Sequence, residues 1–138
     1  MIGLDTNVLA RYYIQDDDDA EASRQRQAAQ RLMESGTPLM VCKTVLLELE
    51  WVMRGFYEFS PAEIAKVMRH LLHSPQVVIE DRDSVLLALS HSEVGLAFAD
   101  ALHHASYRGC EGVASFDNAK FARRARRMGL SPLVSVPE

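Results

Sequence analysis

Several features that mark particular classes of protein are scarce in this sequence of 138 residues. No apolar run approaches the roughly 20 residues that a transmembrane helix needs. The first residues, Met1 to Asp5, include no basic stretch and no long apolar segment, so no signal peptide is predicted and we expect a cytoplasmic protein. The two cysteines, Cys42 and Cys110, share no metal-ligand spacing. We therefore expect both to be buried free thiols without a catalytic role.

An excess of positive charge is also missing. The chain has 15 Lys and Arg residues against 19 Asp and Glu residues, a formal net charge of −4. That balance is unfavourable for a nucleic-acid-binding protein if it is taken over the whole surface, but a basic face could still lie beside an acidic pocket that holds a metal. Hydrophobic residues make up 48% and charged residues 25%, as in an ordinary globular protein, so net charge does not decide the partner.

Short apolar strands alternate with helices along the chain, which predicts an α/β fold with a parallel sheet covered by helices on both faces. We expect a single domain over residues 1–138, a three-layer α/β/α sandwich with a central, mainly parallel sheet of four to five strands. The acids at 16–19 are interpreted as complementing the dipole of the helix that follows them. The predicted strands are 2–4, 39–41, 77–79, 112–116 and 133–134, and the predicted helices are 8–14, 20–34, 44–54, 61–73, 82–91, 97–108 and 119–128.

Four acidic residues stand where the predicted fold makes a carboxylate useful. Asp5 and Asp117 each follow a predicted strand directly, and in open parallel sheets ligands bind outside the carboxyl ends of the strands. Glu48 and Asp100 each interrupt a helix that otherwise looks half-buried, where an unpaired carboxylate is costly. Gathered carboxylates repel each other, and a divalent cation such as Mg²⁺ or Mn²⁺ relieves that repulsion. We expect these acids to converge on a metal that activates water for phosphodiester hydrolysis.

Each of these acids also has an ordinary structural interpretation. Asp5 and Asp117 could each do no more than cap the helix that follows. Glu48 could be one of two neighbouring acids on a hydrated helix face. Asp100 is the hardest of the set to explain without a ligand, because its neighbours along the helix are apolar.

The same residues lie in motifs that resemble the PIN domain and, within it, the VapC-type toxins of bacterial toxin–antitoxin pairs. The similarity spans nearly the whole chain, with the motifs in the right order. The matching motifs are Ile2-Gly3-Leu4-Asp5-Thr6-Asn7-Val8-Leu9, Leu46-Leu47-Glu48-Leu49, Phe98-Ala99-Asp100-Ala101-Leu102 and Ser115-Phe116-Asp117.

This resemblance implies a Mg²⁺- or Mn²⁺-dependent endoribonuclease that acts on RNA. It implies that the four acids named above bind the metal and catalyse the reaction, while Thr6, Asn7 and Ser115 support the site. It further implies a homodimer and a complex with a cognate antitoxin protein. Many relatives carry another acid shortly before the position of Asp100, where this chain has none, which could alter the number of metals. His103 and His104 follow Asp100 on one helical face and could contact a metal or phosphate.

Basic residues are concentrated on the helix that begins beside Asp117. They are either cations favoured by the dipole near a helix C-terminus or a strip that follows the RNA phosphates towards the metal. Arg11, Lys43 and Arg54 are further candidates with less to recommend them. Few aromatic residues are interleaved with these bases, so no stacking surface for single-stranded RNA is evident. The residues of the strip are Lys120, Arg123, Arg124, Arg126 and Arg127.

Two other functions compete with hydrolysis. The chain could be a non-catalytic module that binds RNA or protein, although such a module is expected to have lost one of the core acids. It could also be an aspartyl phosphatase or a phosphoacceptor domain. A phosphatase is expected to have a second Asp where Asn7 stands, and a phosphoacceptor domain is expected to have paired acids after its first strand, where Thr6 follows Asp5.

Overall fold

The structure is a computed structural model that describes residues 1–16 and 18–138, so Asp17 of the acidic run lies outside the described residues. The described residues form two units, Met1–Arg82 and Asp83–Glu138, and each unit contains one parallel sheet. The first unit contains β1 (Ile2–Gly3), α1 (Thr6–Tyr13), α2 (Ala20–Met33), β2 (Leu39–Val41), α3 (Lys43–Trp51), α4 (Pro61–His73) and β3 (Val77–Ile79). The second unit contains α6 (Phe98–Ser106), β4 (Gly112–Ala114), α7 (Arg123–Arg127) and β5 (Leu133–Ser135), and α5 (Arg82–Glu93) begins at the last residue of the first unit.

In the first unit, β2 is the middle strand of a three-stranded sheet with the order β1-β2-β3. Leu39 pairs with Ile2 on one side and with Val77 on the other, and all the pairing is parallel. Leu39 and Val41 are completely buried, as expected for the middle strand of a parallel sheet. The carboxyl end of β1 therefore leads directly into the turn that carries Asp5.

Side-chain caps begin three helices of the first unit, α1, α2 and α4. Asp19 begins α2 by accepting a hydrogen bond from the Ala22 N–H at 2.7 Å. Ser60 and Glu63 form a reciprocal capping box at the start of α4, which begins at the predicted residue 61. The end of α3 differs from the predicted helix, which stops at residue 54. The helix continues through a π-helical turn, Val52–Phe56, because backbone hydrogen bonds there span five residues.

In the second unit, β4 and β5 form a two-stranded parallel sheet. Another π-helical turn, Asn118–Ala122, follows β4 and runs into α7. Ala105 and Ala122 are completely buried, and the ring of His104 is only 1% exposed. The His104 Nε2 lies 2.8 Å from the Pro132 carbonyl oxygen, to which it donates a hydrogen bond.

The predicted α/β class with parallel strands is confirmed. In the described residues the five strands pair as a three-stranded and a two-stranded sheet, and a single domain over residues 1–138 stays a prediction. The expected burial of both thiols is wrong, because Cys42 is half-buried and Cys110 is exposed in a turn after α6. No helix in the described part of the chain is long and apolar enough to cross a membrane.

Candidate active site

Asp5 lies between the end of β1 and the start of α1. Its backbone is extended (φ −85°, ψ 161°), and its Oδ1 accepts a hydrogen bond from the Thr6 N–H at 2.8 Å. Asp5 is thus the N-cap of α1, as its ordinary interpretation predicts. Only one oxygen is used in this bond, and the side chain remains exposed to solvent. The cap therefore orients the carboxylate without consuming it.

Glu48 and Asp5 line the same cavity in the first unit, with a volume of about 470 Å³. Glu48 projects from α3, which packs against α1. Among the described residues, neither carboxylate forms an ion pair with a basic side chain. Asn7 and Thr6 also line this cavity. The Thr6 hydroxyl is part of a side chain that is only 8% exposed, and it has no hydrogen-bond partner in the described structure.

The buried acid of α3 is Glu50 and not Glu48, which corrects the sequence-based expectation. Glu50 is 7% exposed and accepts a hydrogen bond from the Arg54 Nε at 2.8 Å. Glu48 is exposed towards the cavity. The helix α3 therefore contains one acid with a basic partner, Glu50, and one without such a partner among the described residues, Glu48.

In the second unit, Asp117 follows the end of its strand by three residues, much as Asp5 follows the end of β1 by two. It follows β4 and caps the π-helical turn, and its Oδ1 accepts a hydrogen bond from the Lys120 N–H at 3.0 Å. Its own N–H donates to the Ser115 Oγ at 3.1 Å. Ser115 thus helps to fix the backbone from which the exposed Asp117 carboxylate projects.

Asp100 lies half-buried in the first turn of α6. Burial raises the pKa of its carboxyl group, and the negative charge of Asp117 raises it further. The positive charges of His103 and Arg124 act to lower this pKa. The charges of Asp100 and Asp117 therefore act on each other, and Asp5 and Glu48 line one cavity, while the convergence of all four acids on a metal stays a prediction.

The remaining candidate residues, the basic residues and the histidines, differ in their exposure to solvent. Lys120, Arg123, Arg124 and Arg127 are exposed, and Arg124 also donates to the Gly95 carbonyl oxygen at 3.3 Å. The side chains of the predicted histidine pair do not share one environment, because His103 is exposed whereas His104 is buried.

The sequence matches the model of a known protein family over almost its whole length. A model of the PIN domain matches residues 2–127. The chain belongs to the PIN-domain family. PIN domains are generally nucleases that act on nucleic acids and typically use divalent metals. A comparison with curated proteins gave no match.

The residues of this PIN domain fit a hard divalent cation. Carboxylate oxygens are the ligands that Mg²⁺ and Mn²⁺ favour, and the Thr6 hydroxyl is a buried oxygen without a partner among the described residues. Among the described residues, no group of three or more His, Cys, Asp or Glu side chains is placed to hold a metal. Mg²⁺ commonly uses only one or two carboxylates and keeps several waters. Asp5 with Glu48, and Asp100 with Asp117, are the pairs that could hold it.

Three residues that line the cavity with Asp5 stand outside the sequence motifs. Arg11 is a lesser candidate for RNA binding from the sequence, and Gln25 and Tyr57 carry no sequence signal. Gln25 comes from α2, so its position depends on how α1 and α2 pack. No local pattern in a single sequence reports that contact.

Asp100→Asn is expected to make the metal-free PIN domain more stable at neutral pH. Because the pKa of Asp100 is raised in the folded protein, the folded state favours the protonated form of this group. The free energy of unfolding of the wild type therefore falls as the pH rises from the pKa of Asp100 in the unfolded chain to its pKa in the folded protein. Asparagine carries no charge at acidic or at neutral pH, so the variant does not lose this stability. The gain should be less than about 1 kcal/mol, because the group is only half-buried and water screens the repulsion.

Denaturant unfolding in excess chelator, from acidic to neutral pH, measures this difference. The two proteins should converge in stability at acidic pH, where Asp100 is neutral. Asp83→Asn is the matched control. The carboxylate of Asp83 is exposed in the first turn of α5, where the helix dipole stabilises its negative charge. An Asp100→Asn variant that is less stable than wild type at neutral pH would contradict the interpretation.

Proposed function

We propose that this PIN domain is a Mg²⁺- or Mn²⁺-dependent endoribonuclease and the toxin of a VapBC-type toxin–antitoxin pair. The observation that carries the proposal is the pairing of Asp5 and Glu48 on one cavity, without basic partners among the described residues. Acids that share a cavity and have no cationic partner are typical of a metal site. The second pair, Asp100 and Asp117, supplies acids that repel each other and would favour a bound cation.

In this proposal the chain's own residues bind and orient the reacting groups. Asp5, Glu48, Asp100 and Asp117 are the metal-binding and catalytic acids. When bound, the metal lowers the pKa of water and polarises the phosphate for hydrolysis. The N-cap bonds of Asp5 and Asp117 hold these carboxylates in one orientation, so less entropy is lost on ligand binding.

Neighbouring side chains would support the acids without contacting the reacting bond. Ser115 fixes the backbone of Asp117. Asn7 lines the cavity, and the Thr6 hydroxyl is available to a water or ligand there. Contacts of this kind orient the metal-binding groups without binding the metal themselves.

We assign RNA binding to the exposed cations of the second unit. Lys120 and Arg123 are exposed, and the positive charge of Arg124 acts to lower the pKa of Asp100. Exposed Arg and Lys side chains bind phosphates without reading sequence. Such a strip would place RNA backbone beside the Asp100 and Asp117 pair. The set proposed for RNA contact is Lys120, Arg123, Arg124 and Arg127.

The toxin assignment rests on the order and composition of the sequence motifs. It carries three further expectations: a cognate antitoxin that inhibits the nuclease, assembly as a homodimer, and action on RNA in the cytoplasm. Size-exclusion chromatography with light scattering measures the oligomeric state. Copurification with the product of a neighbouring small gene tests for the antitoxin.

RNA cleavage with added metal tests the enzymatic proposal. Purified protein should cut total RNA at internal positions in Mn²⁺ or Mg²⁺ and should stop when excess chelator is added. Mapping the cut ends would identify the target. Binding of RNA without cleavage in either metal would instead favour the non-catalytic module, and cleavage that is undiminished by chelator would exclude a metal-dependent mechanism.

A further inference from the structure

We propose that Arg11 is a phosphate-binding residue of this PIN domain and that Gln25 is its positioning residue. The ligand would be a phosphate of the substrate strand beside the one that is cut. The identity of the ligand as RNA rests on the proposed function. Neither residue belongs to the motifs that define the acidic set.

The guanidinium group of Arg11 is held from one side by α2. The Arg11 Nε–H donates a hydrogen bond to the Gln25 Oε1 at 2.8 Å. The Gln25 Nε2 donates in turn to the Glu21 Oε1 at 3.2 Å, and Arg24 donates to the other oxygen of Glu21. This arrangement leaves the carbonyl oxygen of the Gln25 amide facing Arg11. Three residues of α2, spaced by three and four positions, thus fix one orientation of the arginine.

The other end of the guanidinium group is available to a ligand. The hydrogen bond of Arg11 to Gln25 is made by its Nε, which leaves the two terminal nitrogens for a ligand. Arg11 lines the same cavity as Asp5 and Glu48, yet it forms an ion pair with neither of them. Among the described residues Arg11 pairs with neither of the two acids beside it and is anchored by a neutral amide, so its charge can act on an incoming anion.

A phosphate is an anion that this arrangement can bind. The terminal nitrogens of arginine form a planar fork that binds two phosphate oxygens at once. The cavity of about 470 Å³ is within the size range of sites that hold a small organic ligand, so it has room for more than a hydrated ion. A phosphate placed there would lie in the same cavity as Asp5 and Glu48, as a nuclease substrate requires.

Binding of a labelled single-stranded RNA over a range of salt concentrations tests this role. The probe is a fluorescein-labelled oligonucleotide of mixed sequence in Ca²⁺, with its integrity checked on a gel. Arg11→Ala should weaken binding by about tenfold and lower the slope of log Kd against log salt by about 0.7, the value for one lost phosphate contact on a single strand. Arg11→Lys should keep the slope and recover part of the affinity, because it keeps the charge and loses the fork.

Gln25→Ala separates positioning from charge. It should weaken binding by roughly threefold at an unchanged salt slope, because Arg11 keeps its charge and loses its anchor. Arg31→Ala is the matched control, since this exposed arginine of α2 does not line the cavity. It should leave affinity and slope near the wild-type values.

The outcomes distinguish this inference from the proposed function. If wild-type protein binds the probe and Arg11→Ala changes neither affinity nor slope, Arg11 does not bind phosphate, whatever the nuclease assay gives. If the Arg11 effects are found in a protein that cuts no RNA in Mn²⁺, the phosphate site stands and the nuclease proposal falls. Failure of the wild type to bind the probe at low salt would overturn the inference.

Discussion

Asp5→Asn and Asp100→Asn are each expected to lower RNA cleavage by at least about 100-fold while the protein stays folded. An amide has nearly the shape of a carboxylate but no negative charge, so it is a poor ligand for Mg²⁺. In the Asp5→Asn variant the amide oxygen can still accept the hydrogen bond from the Thr6 N–H and cap α1. Activity and stability are therefore expected to separate in these variants.

Initial rates of RNA cleavage in Mn²⁺, measured beside circular dichroism and thermal unfolding, provide the test. Asp83→Asn removes the same charge from an exposed position on α5 and should retain near wild-type cleavage. Full activity in Asp5→Asn or Asp100→Asn would contradict the proposed catalytic set. Loss of activity together with unfolding would show a structural role for the residue instead.

Glu48→Gln and Glu50→Gln should have opposite consequences, although the two residues are separated by one position on the same helix. Glu48 lines the cavity without a basic partner among the described residues, so its substitution should abolish cleavage and leave stability nearly unchanged. Glu50 is buried and bonded to Arg54 at 2.8 Å. Glu50→Gln should lower the free energy of unfolding by about 1–2 kcal/mol, because a charge-assisted hydrogen bond is lost.

Each variant is the control for the other, since both make the same chemical change in α3. Cleavage rates in Mn²⁺ and urea unfolding curves of the two proteins measure the separation. Arg54 is largely exposed and remains hydrated when its partner is lost, which limits the expected cost of Glu50→Gln. A Glu48→Gln protein that cuts RNA normally would remove Glu48 from the proposed site.

Much of this fold follows from local sequence signals. The strand Leu39–Val41 and the helix Pro61–His73 have the predicted bounds, because a short apolar run and a capping box are each complete within a few residues. Asp5 and Asp117 are also predictable as candidates, since each directly follows a predicted strand. Their caps confirm the local structure, while their catalytic role stays a prediction.

Other features depend on contacts that a single sequence does not contain. Glu48 and Glu50 lie on the same helix, and only the packing of α3 decides which of them is buried. The bond between Arg11 and Gln25 joins residues 14 positions apart on two helices. Hydrophobic periodicity predicts each helix but not the rotation of one helix against its neighbour.

The π-helical turn at the end of α3 determines which aromatic ring is presented to the cavity. Glu48 and Val52 line the cavity at a spacing of four residues, and Tyr57 follows Val52 at a spacing of five. In an uninterrupted α-helix the next residue on that face would be Phe56, which instead projects outward and is 70% exposed. One extra residue in the turn thus exchanges a purely hydrocarbon wall for a phenol, whose hydroxyl donates to Asp16 at 2.9 Å. Chain length in this short segment sets the polarity of the cavity lining as directly as a change of side chain would.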